Sequence, residues 1–387
     1  MIKKQIYLDH AATTPLHPKV LEKMLPYLKE DFGNPSSIHS YGRKVRVAIE
    51  EAREIISDFI NAKAGEIYFV SGGTEANNFP LFGIAKTEYN ESGRNEIITT
   101  TTEHQCVLES FNELKKQGFN TKILDVSNDG TLELKNLKKE LTKNTSLISV
   151  IHINNETGVE NNLIKIKETL HYNNIYFHSD AVQSFGKIPI NVKHLEVDSL
   201  SFSSHKINGP KGIGAVYVKS GTPLSPIIFG GSQERNRRGG TENAAAIIGF
   251  AEAVRIAKAD MENNFEAVKK LREYFIKGIQ EVDSKGIAIN GLENNFPYIL
   301  SITFKKEFYN NDAEAMLMYL DINGIAASNG AACTSGTLKP SHVILAMGKS
   351  VEDANGTIRF SFGVQNTIEE IEYTLEVLSK MSKKFSK

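Results

Sequence analysis

Seven short apolar runs, set apart by stretches whose apolar residues recur at helical spacing, constrain this 387-residue chain more than any other feature. They lie at 66–70, 96–100, 121–124, 147–153, 175–178, 200–203 and 214–218. Most are rich in β-branched residues without clear polar alternation, as expected of strands covered on both faces. Val20, Leu21, Met24, Leu25 and Leu28 form one helical stripe, and Val45, Ile49, Ala52, Ile56 and Phe59 form another. Strand and helix taking turns predict an α/β fold around a mostly parallel sheet.

The texture changes after Asn243. A long helical pattern runs through 244–258 and past Met261 towards Val282, followed by shorter units at 298–304, 313–320 and 357–362. The last helix opens on a capping box, Thr367-x-x-Glu370, and its apolar face carries Ile368, Ile371, Leu375 and Leu378. The length exceeds one ordinary core, so a large α/β domain to about residue 258 and a smaller α+β domain after it are expected. Lys380, Lys383, Lys384 and Lys387 read as a solvated helix end.

Charge narrows the function. Lys plus Arg number 45 against 46 for Asp plus Glu, which leaves no overall field to hold nucleic acid or an anionic membrane. No apolar run approaches the roughly 20 residues that span a bilayer, and Met1-Ile-Lys-Lys-Gln-Ile-Tyr-Leu-Asp9 lacks a signal-peptide core. Two cysteines, Cys106 and Cys333, are far apart in sequence, which excludes a disulfide framework and favours the cytoplasm.

Several strand ends carry chemistry. Ser203-Ser204-His205-Lys206 closes one run and continues into a glycine-rich stretch. A lysine at a buried strand end can be desolvated toward use as a nucleophile, and glycines let backbone approach a ligand closely. The plainer alternative is a surface lysine in a loop. His178-Ser179-Asp180-Ala181-Val182-Gln183 ends another run, where Asp180 is either an N-cap or the partner of a protonated pyridine nitrogen, the pairing that makes pyridoxal phosphate an electron sink. Ser71-Gly72-Gly73-Thr74-Glu75-Ala76-Asn77 opens a helix, whose first amides suit an anion. Thr102-Glu103-His104 either places an imidazole over a cofactor ring or holds a satisfied structural histidine, the commoner case for a lone histidine. Cys333 sits among small residues, 326–336, and reads as a thiol on a mobile loop. For Cys106, packing is the expected role, with its closeness to His104 to be tested. Arg359, inside an apolar strand pattern, needs a carboxylate from the protein or a substrate.

Taken together, these motifs resemble one family. Tyr7-Leu-Asp-His-Ala-Ala-Thr-Thr-Pro15, Gly33-Asn-Pro-Ser-Ser-Ile-His-Ser40, Ser71-Gly-Gly-Thr-Glu75, Thr102-Glu-His104, Asn154-Asn-Glu-Thr-Gly158, the 178–183 and 203–206 segments and Gly239-Gly-Thr-Glu-Asn243 occur in order. This pattern is similar to the cysteine desulfurases of the NifS/IscS type, with the class V aminotransferase fold. The Ala332-Cys-Thr-Ser335 element resembles the long-loop group of that family.

The resemblance implies a pyridoxal phosphate fold of type I. A large domain, 16–258, would hold a mostly parallel seven-stranded sheet, and a small α+β domain, 1–15 with 259–387, would carry the cysteine loop. Lys206 would bind the cofactor as a Schiff base, Asp180 its pyridinium nitrogen and Gln183 its phenolic oxygen, while His104 would stack on the ring. Gly73, Thr74, Ser203 and His205 would seat the phosphate, with Thr241 reaching in from the other subunit of a homodimer. Asn155, also cofactor-binding, and Arg359 would hold the carboxylate of L-cysteine.

Lys206, His104 and Cys333 would be catalytic, with Cys333 taking the sulfur as a persulfide. The acceptor would be an iron–sulfur scaffold or a tRNA-thiolation protein. No intrinsic metal is implied, only an iron–sulfur cluster that Cys333 would transiently share with a scaffold. Two departures stand out: Asn329-Gly-Ala-Ala replaces the more usual Ser-Gly-Ser-Ala, and the chain stops soon after its last helix, so C-terminal scaffold contacts made by longer relatives are expected to be missing. Competing readings are a transaminase, which needs Lys206 and Asp180 but not Cys333, a selenocysteine lyase, and a silent sulfur-transfer partner.

Overall fold

The computed structural model describes residues 5–170, 174–292, 295–330 and 339–387. After a two-residue strand β1 (Ile6–Tyr7), seven strands build the main sheet. They are β2 (Ile67–Val70), β3 (Glu96–Thr100), β4 (Asn120–Leu124), β5 (Thr145–Ser149), β6 (Tyr176–Asp180), β7 (Ser199–Ser203) and β8 (Gly214–Val218). Their order is β2-β8-β7-β6-β5-β3-β4, and only the two pairings of β8 are antiparallel.

Successive side chains of a strand point to opposite faces. Ile97, Leu147 and Val216 enter one core, whereas Ile98, Ile148 and Ala215 enter another. Both faces are covered by helices, which explains the unbroken apolar runs. The run expected at 147–153 is shorter as a strand. It ends at Ser149, and the chain leaves through a turn in which the Asn154 side chain accepts from the backbone N–H groups of Glu156 and Thr157.

A smaller antiparallel sheet joins β9 (Ile287–Ile289), β10 (Ile299–Phe304) and β12 (Thr357–Ser361), with β10 in the middle. Beside it β1 pairs in parallel with β11 (Ile325–Ala326). One 40-residue helix, Ala244–Asp283, starts where the texture changes and runs across the domain boundary expected near residue 258. Ala246–Ala257 of this helix contribute to a large-sheet core, and Val268, Leu271, Phe275 and Ile279 to the small-sheet core. The last helix, Ile368–Phe385, opens on the expected capping box; Ile371 and Leu378 are buried, and Ile368 and Leu375 pack partly against the same core. No described helix is long and apolar enough to cross a membrane.

Because β3, β5, β6 and β7 run parallel, their C-terminal ends share one edge of the sheet. Two successive antiparallel pairings return β2 to the same direction. The segments that follow β2, β3, β5, β6 and β7 therefore meet in one place, where α/β sheets bind ligands.

Candidate active site

A cavity of about 370 Å³ lies at that edge, and the strand-end residues converge on it. Lys206, in the single helical turn Ser204–Lys206 after β7, donates from Nζ to the carbonyls of Ala11 (2.6 Å) and Ala12 (2.7 Å). Burial, reinforced by the Arg359 charge, pulls its pKa down to about 8 against the opposing pull of Asp180 and Asp9. A larger fraction of it is thus a free amine near neutrality than for an ordinary lysine.

Asp180 ends β6, where it is buried. Its Oδ1 accepts the Val182 N–H (2.9 Å), and its Oδ2 accepts from Asn77 Nδ2 (2.7 Å). It therefore caps the turn and holds a second contact from the helix Gly73–Ser92. Behind Asn77, His178 Nε2 lies 3.0 Å from Asn77 Oδ1, and His178 Nδ1 lies 2.9 Å from Ser199 Oγ. Burial drives the His178 pKa down to about 3, so the ring is neutral. Its Nε2–H must donate to the amide oxygen, leaving Nδ1 to accept from Ser199. This relay turns the Asn77 NH₂ toward Asp180. The sequence quoted Asn77 and His178 inside motifs but gave them no role, because only the helix-to-sheet packing brings them together.

His104 caps the helix Gln105–Lys116 and opens to the cavity. Its Nδ1 accepts the Cys106 N–H (3.2 Å) and lies 3.0 Å from Cys106 Sγ, so Nε2 carries the proton. Desolvation holds the imidazole below its ordinary pKa. Burial pushes the Cys106 thiol up to about 12, with Asp180 adding to the effect, and its sulfur also accepts from Asn77 (3.3 Å). Cys106 therefore touches His104 yet is a poor nucleophile. Glu103, fully buried, was missed as a special group. Burial outweighs its bonds from the Ile151 N–H and the Thr100 hydroxyl, pushes its pKa to about 8, and leaves Oε2 without a partner.

At the start of the helix that carries Asn77, Gly72 has φ +152°, a conformation that favours glycine, and the helix starts at Gly73. A Cβ on Gly73 would stand 3.2 Å from Val182 Cγ2, so the cradle is tight. Thr74, Ser203 and His205 share this end of the cavity. The buried Ser203 hydroxyl, beside Gly73, has no partner. His205 Nδ1 lies 3.1 Å from Thr13 Oγ1, and burial with the nearby Lys206 charge lowers its pKa to about 4.

Gln183 donates to the Ala11 carbonyl (3.0 Å). Arg359, on β12, donates to the Asn155 carbonyl (2.9 Å) and to Asp9 Oδ1 (2.8 Å), while its buried Nε is unpaired. The protein itself thus supplies one carboxylate for this arginine, from a residue far away in sequence. Asn155 also lines the cavity. Thr241 is exposed and does not line its own chain's cavity. Cys333 lies outside the described residues; Ser328 and Gly330, just before it, line the cavity. Among the described residues, no three His, Cys, Asp or Glu side chains gather as a metal site.

The aminotransferase class-V family model matches residues 6–374. The chain belongs to that family, among the cysteine desulfurases of the NifS/IscS type. It is 46% identical over 387 residues to a cysteine desulfurase IscS of Dictyoglomus turgidum, covering 99% of this chain and 96% of that one. A solved NifS-like protein superposes with a TM-score of 0.91 at 34% identity, over 99% of this chain and 100% of the other. The structure of SspA in complex with cysteine matches with a TM-score of 0.82 at 34% identity, over 94% and 100% of the two chains.

This class-V enzyme depends on pyridoxal phosphate, and its pocket fits that group. A lysine of lowered pKa, a held carboxylate and a glycine cradle beside the orphaned Ser203 hydroxyl offer an amine, a counter-charge for a pyridinium and a donor for a phosphate.

Proposed function

We infer that this enzyme converts L-cysteine to L-alanine and moves the sulfur onto Cys333 as a persulfide, supplying iron–sulfur cluster assembly or tRNA thiolation. One observation carries the reading: Lys206, Asp180, His104 and Arg359 face a single cavity that Ser328 and Gly330, a few residues before Cys333 in the sequence, also line. Pyridoxal phosphate, when bound, supplies an electron sink for charge developing on the substrate Cα.

Lys206 would hold that group and, once released, carry a proton at Nζ. Asp180, fixed by Asn77 and the Val182 N–H, would hold the proton on the pyridine nitrogen. Gln183 would donate to the phenolic oxygen, and the His104 ring would lie against the cofactor with its Nε2 proton available. Gly73, Thr74, Ser203 and His205 would bind the phosphate. Arg359 and Asn155 would bind the substrate carboxylate, which competes with Asp9 for the guanidinium. The Cys333 thiolate would take the substrate sulfur, forming an S–S bond as the C–S bond breaks. Splitting the transfer at an enzyme nucleophile divides one hard step in two.

A homodimer would complete the phosphate seat through Thr241 of the second copy. Leu28, Phe32, Ile38, Tyr41 and Phe229 are exposed apolar side chains that such a partner would cover. A fully active monomer in analytical ultracentrifugation would remove this assignment. We place the enzyme in the cytoplasm, because a persulfide carrier and the free thiol of Cys106 need a reducing compartment. The domains divide as 1–15 with 259–387, and 16–258: Ile6, Leu8 and Ala11 pack in the small-sheet core and Val20 in a large-sheet core.

Cys333→Ser tests the central reading. The variant should bind cofactor and L-cysteine yet release no sulfide, since a hydroxyl is too weak a nucleophile toward sulfur at neutral pH. Mass spectrometry after one turnover should find extra sulfur on the Cys333 peptide. Unchanged sulfide release, or sulfur found only on Cys106, defeats it and favours another class-V activity.

A further inference from the structure

We propose that Lys187 is a positioning residue for the cofactor: its ammonium group fixes the Gln183 carboxamide so that the amide N–H, and not the carbonyl, meets the phenolic oxygen. This rests on the pyridoxal phosphate reading given above.

A carboxamide alone does not choose between its two ends, since one donates and the other accepts. Two fixed groups choose for Gln183. Its Nε2 donates to the Ala11 carbonyl at 3.0 Å, and its Oε1 accepts from Lys187 Nζ at 3.4 Å. The same Ala11 carbonyl accepts from Lys206. Rotating the amide would set its NH₂ against an ammonium and its oxygen against a carbonyl.

The backbone aims Lys187 inward. Gly186 has φ +74°, and a Cβ there would come within 2.7 Å of Ile207 Cγ2, so glycine is required where the chain turns. Lys187 is buried, with Nζ 5.3 Å from the Tyr298 ring centre and 5.8 Å from that of Phe296; these two rings stack. Among the described residues it has no carboxylate in an ion pair. An ammonium so placed is costly unless used, and its hydrogen bond points at a cofactor contact. Burial, then the Lys206 charge, lowers its pKa to about 7.

The titratable groups around it are Lys206, His10, His17, His205 and Tyr298. Burial holds His10 and His205 down to about 4 and pushes Tyr298 up, so these three stay neutral while the cofactor titrates.

The experiment is a pH titration of the visible cofactor band in the loaded protein. Lys187→Met removes the amine donor, and below about pH 7 its charge as well, and frees the amide, which disfavours negative charge on the phenolic oxygen. The midpoint should rise by about half a unit or more. Lys187→Arg should restore it, and in a Gln183→Leu background Lys187→Met should add less than half of its single shift. Lys187→Gln serves if the methionine variant does not fold, with the same upward shift expected. An unmoved midpoint, or a shift undiminished in the Gln183→Leu background, overturns the proposal. A wild-type protein that gains no visible band with added cofactor overturns the cofactor reading itself.

Discussion

At the Asp180 end of the pocket the polar relay is paired throughout. Ser199, His178 and Asn77 hand hydrogen bonds forward, and both carboxylate oxygens are engaged. At the Gly73 end the Ser203 hydroxyl is buried with no partner. Leaving such a group unsatisfied costs about 1–3 kcal/mol. The first end is built to hold one charge in a fixed orientation whether or not a ligand is present. The second carries a deficit that an anion at the helix N-terminus would relieve. Positioning for chemistry and affinity for the cofactor are thereby assigned to different groups of the pocket.

The largest expected effect falls on Lys206, which lines the same cavity. Lys206→Ala should lower turnover at least about 10³-fold and remove the visible cofactor band together. Borohydride-reducible labelling persisting at a different lysine would break the assignment. Next comes the paired end. Asp180→Ala should keep part of the bound cofactor while turnover falls about 10²- to 10³-fold, as when one preorganised charge contact is lost. Near-normal cysteine consumption would reduce Asp180 to a turn cap.

At the orphaned end the effect should be smaller and of another kind. Ser203→Ala should weaken cofactor binding about threefold to tenfold in titrations of the apo-protein, with excess cofactor recovering part of the lost turnover. If Asp180→Ala costs more affinity than Ser203→Ala, the division between the two ends fails.

The smallest effect is a pH dependence. Lys206 titrates near 8 in the folded chain and near its ordinary 10.5 when unfolded. Between these values the unfolded state binds more protons, so apo-protein stability should rise with pH across that window. Lys206→Met should flatten this component in thermal melts compared pairwise from about pH 8 to pH 10. An identical slope in both proteins would show that the lysine is not depressed.

Much of the site was legible because its residues follow strand ends, and strand ends can be read from apolar runs. Lys206, Asp180, His104 and the Gly72-Gly73 turn each close or follow such a run. Lys187 was not legible: Phe185-Gly-Lys-Ile-Pro189 looks like a surface turn, and only the Phe296 and Tyr298 rings make it an interior one. Asp9 was quoted in a motif without any link to Arg359, since their pairing depends on the segment after β1 lying beside the last strand. Leu21, Leu25 and Leu28 matched a helical stripe, yet on this chain they remain exposed, because periodicity reports a helix face and not what covers it.

The sequence by itself determined the α/β alternation, the strand-end placement of the reactive groups and, through ordered motifs, the family. Those are properties of local spacing, which the chain carries before it folds. Tertiary structure decided which groups are charged, which are paired and which way an amide points. The lowered pKa values of Lys206 and His178, the raised one of Glu103 and the orientation of Asn77 follow from desolvation and from partners distant in the chain. Such terms exist only once both faces of the sheet are covered and water has left the site.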